Sequence, residues 1–98
     1  MPEFDPIIHQ AVRLKIMSAL AVLKSGDSID FTYLKNLLGL TDGNLGAHLD
    51  KLTSAGYLKA DRTNAGRNAK MFIELTAKGR GAFEGHRKAL EEILRGEE

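Results

Sequence analysis

The chain has no cysteine. That excludes a disulfide framework, thiolate chemistry and cysteine-based zinc sites, and it fits a reducing compartment. No apolar run approaches the roughly 20 residues that a membrane span requires. Residues 1–5 carry no basic, apolar leader either, so we expect no membrane association and a cytoplasmic protein. Neither sign of charge dominates: the formal net charge is +1, which by itself selects no partner. Internal repeats and low-complexity tracts are also missing.

What remains is an ordinary globular composition. Hydrophobic residues make up 43% and charged residues 28% of 98 positions, enough for one domain with a modest core. The charge is unevenly spread. Residues 1–40 hold four bases and four acids. Residues 41–80 hold seven bases against four acids, a balance of +3, and residues 81–98 hold three against five, a balance of −2. A basic middle can meet a polyanion while the net charge stays near zero.

The pattern along the chain predicts helix, short strand, helix, helix, hairpin, helix. Asp5 and Pro6 form a cap and first helical position. Apolar residues then recur at Ile8, Val12, Ile16, Ala19, Leu20 and Leu23, widened by Ile7, Leu14, Met17 and Ala21. Ser25-Gly26-Asp27 ends this helix. Ser28 to Asp30 is at most a one-rung strand. Asp30 caps a second helix with Phe31, Leu34, Leu37 and Leu38 inward, ended by Gly39. Thr41 caps a third, with Leu45, Leu49 and Leu52 inward and Gly56 beyond its end. "YLKADR" and "KMFIEL" read as strands around a polar tip, "TNAGRNA". Thr76 caps a final helix with Phe83, Leu90, Ile93 and Leu94 on one stripe.

The fold class is therefore α+β, mainly α: one winged helix-turn-helix domain over residues 1–98. The helix-turn-helix spans about 31–55, the wing about 57–75 and the last helix about 76–95. "HQAVRLKIMSAL", "LTDGNLGAHLDKLTSAGYL" and "ELTAKGR" resemble archaeal and bacterial winged-helix transcriptional regulators of the ArsR/MarR type, above all their compact stand-alone DNA-binding domains. The resemblance covers about residues 5–90. It implies a homodimer that binds a palindromic operator on double-stranded DNA and represses or activates transcription; of the two we expect a repressor. In that family's reading helix a Ser and an Arg commonly stand where this chain has Gly46 and Ala47, so fewer long donors face the groove.

With three leucines inward, 100° per residue places Gly43, Ala47, Asp50 and Lys51 on the outer face of the third helix, with Thr41, Asp42 and Asn44 around its start. A major groove about 12 Å wide admits such a helix. Asn44 suits bidentate reading of adenine, and Lys51 suits a phosphate or base. Thr41 either holds a phosphate or serves only as a cap. His48, at the edge of the inward face, either donates to a phosphate or packs against the second helix. Asp42 is structural, favouring the helix dipole. On the wing, Arg62, Asn64, Arg67, Asn68 and Lys70 suit phosphates or a minor groove; the plain alternative is a hairpin kept hydrated by charge. Lys35 is a further candidate for a backbone contact.

The overwide first helix and the last stripe together exceed what a small monomer covers. We expect a symmetric dimer interface containing Ile7, Ile8, Leu14, Phe83, Leu90, Ile93 and Leu94. No catalytic constellation can be assembled. His9, His48 and His86 are expected on three separate helices, with no His–acid pair at ligand spacing. Accordingly we expect no enzyme, metal or cofactor; the sequence names no small-molecule effector. The competing reading is a winged-helix protein-interaction module that does not read DNA sequence.

Overall fold

The computed structural model describes residues 4–62 and 70–96. Seven elements follow in order: α1 (Ala11–Ala21), β1 (Ser28–Asp30), α2 (Phe31–Leu38), α3 (Asp42–Ser54), β2 (Leu58–Arg62), β3 (Met71–Leu75) and α4 (Ala77–Leu94). The strands form one antiparallel sheet in the order β1-β3-β2. This is the winged helix fold.

Local chemistry sets most of the element ends. Asp30, Thr41 and Thr76 each hold an extended backbone while a side-chain oxygen accepts the N–H three residues on. Each satisfies one orphan donor of a helix start. Gly39 closes α2 in the left-handed conformation, φ 68°, where a side chain would be strained. The Leu40 N–H then returns to the Lys35 carbonyl. The turn between α2 and α3 is thus only Gly39-Leu40-Thr41.

The first helix differs from its expectation. Asp5 and Pro6 start only a single turn: Asp5 Oδ1 accepts the N–H groups of Ile7 and Ile8 at 2.8 and 3.2 Å. The chain becomes extended again at Gln10, whose side chain caps α1 by accepting the Arg13 N–H at 2.9 Å. The sequence rule for a helix start was satisfied, but by a turn that folds across the domain.

One core joins all layers. Ile8, Ile16, Met17 and Leu20 meet Leu34 of α2, Leu45, Leu49 and Leu52 of α3, Leu58, Ile73 and Leu75 of the sheet, and Phe83 of α4. Val12, Leu14, Ala19, Ala21 and Leu23 pack at its margin, so the broad apolar surface of α1 is largely used within the chain. Leu37, expected inward on α2, is 55% exposed; the inward arc of this two-turn helix is filled by Phe31, Leu34 and Leu38.

The start of α4 lies directly against the chain that leaves α3. A Cβ built on Gly79 would stand 2.1 Å from the Tyr57 carbonyl oxygen and 2.9 Å from Leu75 Cδ1. Only glycine permits that approach. Thr76 fastens the same junction, its hydroxyl lying 2.7 Å from the Gly56 carbonyl and its N–H donating to the Tyr57 carbonyl. The order α3, β2, β3, α4 is thereby locked at one point, which fixes the wing relative to α3.

Candidate nucleic-acid interface

Helix α3 separates its two faces as its leucine spacing requires. Leu45, Leu49 and Leu52 are buried, whereas Thr41, Asp42, Gly43, Asn44, Ala47, Asp50 and Lys51 are exposed. The exposed strip is low in relief, because Gly43 and Ala47 carry little or no side chain and nothing lies within 4 Å of a Cβ added to Gly43 or Gly46. Such a strip can be approached closely by a groove.

Charge at the helix start is balanced. Asp42, which would repel phosphate, pairs with Lys35 of α2 at 3.1 Å. Lys35, considered as a backbone contact, is thus engaged in holding the two helices of the motif together. The Thr41 hydroxyl accepts the Asn44 N–H at 3.1 Å, so its own proton stays available for donation. The amide side chain of Asn44 is exposed beside it.

His48 sits at the edge of this strip, half-buried. It was expected either to face DNA or to pack against α2. Its ring meets α1 rather than α2, with Nδ1 3.3 Å from Nη1 of Arg13. The same guanidinium donates through Nε to the Ile7 carbonyl. Burial, then the charges of Arg13 and Lys51, push the His48 pKa below its ordinary value. The shift favours the neutral ring.

Two exposed bases stand at the distal ends of the wing strands. Arg62 closes β2 opposite Met71, and Lys70 immediately precedes β3. The two flank residues 63–69, so Asn64, Arg67 and Asn68 lie outside the described residues. Lower on the hairpin, Lys59 is drawn 3.6 Å from Glu74 across the strands.

Between the N-terminal turn, Tyr57 and α4 lies a cluster that sequence reasoning missed. Tyr57 donates to Asp5 Oδ2, and the Asp5 N–H donates to His86 Nδ1 at 3.1 Å. Phe4 stacks on His9 with ring centroids 4.3 Å apart, and His9 and His86 rings lie 5.2 Å apart. The expectation of three histidines on three separate helices fails for His9, which belongs to the N-terminal turn and lies against His86 of α4. His86 is buried, and its Nε2 has no hydrogen-bond partner among the described residues. Desolvation first, and the neighbouring His9 second, lower its pKa against an opposing effect of Asp5. No grouping of three His, Asp or Glu among the described residues is arranged to hold a metal ion.

The residues expected at a dimer interface divide. Ile8 and Phe83 are buried in the chain's own core, leaving them little or no surface for a partner. Ile7 and Leu14 pack partly against that core, and Leu90 is half-buried. Ile93 and Leu94, by contrast, are 52% and 83% exposed on the last turns of α4. No helix among the described residues is long and apolar enough to cross a membrane.

Comparison with known proteins agrees with this geometry. An uncharacterised protein of Methanocaldococcus jannaschii is 40% identical over 80 residues, covering 82% of this chain and 84% of that one. A structure of a transcriptional regulator homologue from Pyrococcus horikoshii superposes with a TM-score of 0.83 at 27% identity, covering 92% and 86% of the two chains. The transcriptional regulator BldR of Sulfolobus solfataricus shares the fold, with a TM-score of 0.66 at 23% identity over 84% of this chain and 55% of its own. The sequence profile of the winged helix DNA-binding domain family matches residues 12–94. The chain belongs to the winged helix DNA-binding domain family.

Proposed function

We propose that this protein is a transcriptional regulator, most simply a repressor, that binds a palindromic operator as a homodimer. The observation that carries the reading is the exposed strip of α3. It presents Asn44, Ala47 and Lys51 in one row beside the capped helix start, with bases Arg62 and Lys70 at the mouth of the wing. Asn44 reads a base edge, Lys51 and the wing bases neutralise phosphates, and Thr41 donates to the backbone. Small residues leave room for shape and backbone contacts to supply much of the binding.

The dimer places two such strips about one helical turn of DNA apart, roughly 34 Å. Ile93 and Leu94, together with Leu90 and the partly exposed Ile7 and Leu14, supply its apolar surface. Selection of bound sequences from a random duplex pool tests the reading. An enriched inverted repeat with half-sites about 10 base pairs apart supports it. A pool that remains random, or an enriched site without two-fold symmetry, overturns sequence reading or the dimer respectively.

A further inference from the structure

We propose that Arg13 is a positioning residue for DNA recognition: it fixes the His48 ring so that Nε2–H is presented at the edge of the α3 strip as a neutral, directional donor. This rests on the DNA-binding reading above. Two bonds define the geometry. Nη1 of Arg13 stands 3.3 Å from His48 Nδ1, and Nε donates to the Ile7 carbonyl. Guanidinium has donors only. His48 Nδ1 facing it must therefore accept, which puts the ring proton on Nε2.

The two bonds use different arms of one planar fork. Because Ile7 holds Nε, the plane of the guanidinium is set before it meets the imidazole. A lysine has one ammonium on a flexible stem and cannot hold both partners in fixed geometry. Ile7 is itself anchored, since its N–H donates to Asp5 Oδ1 while Asp5 Oδ2 accepts from Tyr57. Ile7 and Lys51 also line one open depression of about 410 Å³ together with Asp50, Ser54 and Ala55. The N-terminal turn thus forms one wall of a depression whose other wall is the outer edge of α3.

Arg13 from α1, 3.3 Å from Nδ1, and the charge of Lys51 on its own helix both disfavour a protonated His48. The ring therefore contributes an orientation-dependent hydrogen bond and no ionic attraction, whereas Lys51 contributes charge. On this reading His48→Ala weakens binding to a selected duplex about three- to tenfold, the worth of one hydrogen bond. Its salt slope stays unchanged, because no counterion is released by a neutral donor.

The test combines a double-mutant cycle with the titration of His48. Arg13→Ala should weaken binding of the selected duplex by about the same three- to tenfold in the native background, and by less than about twofold when His48 is already Ala. In the free protein, nitrogen-resolved NMR should find the His48 proton on Nε2, and Arg13→Ala should raise the His48 pKa toward 6.5. Arg13→Lys should keep the low pKa yet recover only part of the affinity. Additive losses, a proton on Nδ1, or a titration indifferent to Arg13 would each overturn the proposal. Should the protein bind no DNA, the function fails on that result, while the NMR arm still decides whether Arg13 sets the His48 ring.

Discussion

The Tyr57 hydroxyl donates to the Asp5 carboxylate across 52 residues of sequence. The bond folds the N-terminal turn onto the junction of α3, the sheet and α4. Asp5 also accepts from Ile7 and Ile8 and donates its N–H to His86, so one residue ties four others. The hydrogen bond to Asp5 first, then burial and the Asp5 charge, push the Tyr57 pKa up to about 12.

Loss of that bond should be measurable. Tyr57→Phe leaves a part-buried carboxylate short of a donor and should destabilise the domain by about 1–3 kcal/mol in urea unfolding. The folded pKa lies above the ordinary value of 10, so this contribution is full below pH 10 and disappears as pH rises through about 12. An unchanged unfolding midpoint for Tyr57→Phe would show that the clamp adds nothing.

Acid should weaken the fold through two histidines. His48 and His86 both have folded pKa values below 6.5. A base whose folded pKa is depressed is destabilising to protonate, so the stability is complete above pH 6.5 and falls as pH drops toward the folded values. His86 is the more buried, faced by His9 and Asp5 from the N-terminal turn. The thermal midpoint should be flat from pH 8 to about 6.5 and decline as the pH falls below it, before most carboxylates titrate. A midpoint that rises on acidification through this window would contradict the assignment of both rings as neutral.

Glycines that look alike in sequence should behave oppositely. Gly79→Ala forces a methyl group into the Tyr57 carbonyl and should cost about 3 kcal/mol or more, or prevent folding. A Cβ on Gly46 or Gly85 meets nothing within 4 Å. Alanine there should stabilise α3 or α4 by about 0.5–1 kcal/mol. Calorimetry of Gly79→Ala, Gly46→Ala and Gly85→Ala separates the classes; equal effects at all three would refute the close approach.

These pairs also mark what sequence reading can reach. Thr41, Asp30 and Thr76 were legible as caps because each acts on a donor three residues away. The leucines of α3 were legible because burial repeats with the helix. Asp5-Pro6 carried the same local signal, yet its carboxylate is shared with Tyr57 and its N–H with His86, and the helix begins only at Ala11. Leu37 fell outside an arc that two turns could fill without it. Arg13 and His48 are 35 residues apart, and Asp5 and His86 are 81 apart. No periodicity or spacing links such partners, so that part of the candidate site emerged only from tertiary geometry.

If the α3 strip and the wing bases meet the phosphates of DNA, equilibrium binding to a selected duplex across a salt series will show it, for the native chain, Lys51→Ala and Arg62→Ala. We predict a linear fall of log affinity with log salt, and a slope reduced by about 0.9 for each lysine or arginine removed. Binding that ignores salt, or slopes untouched by both substitutions, would contradict it.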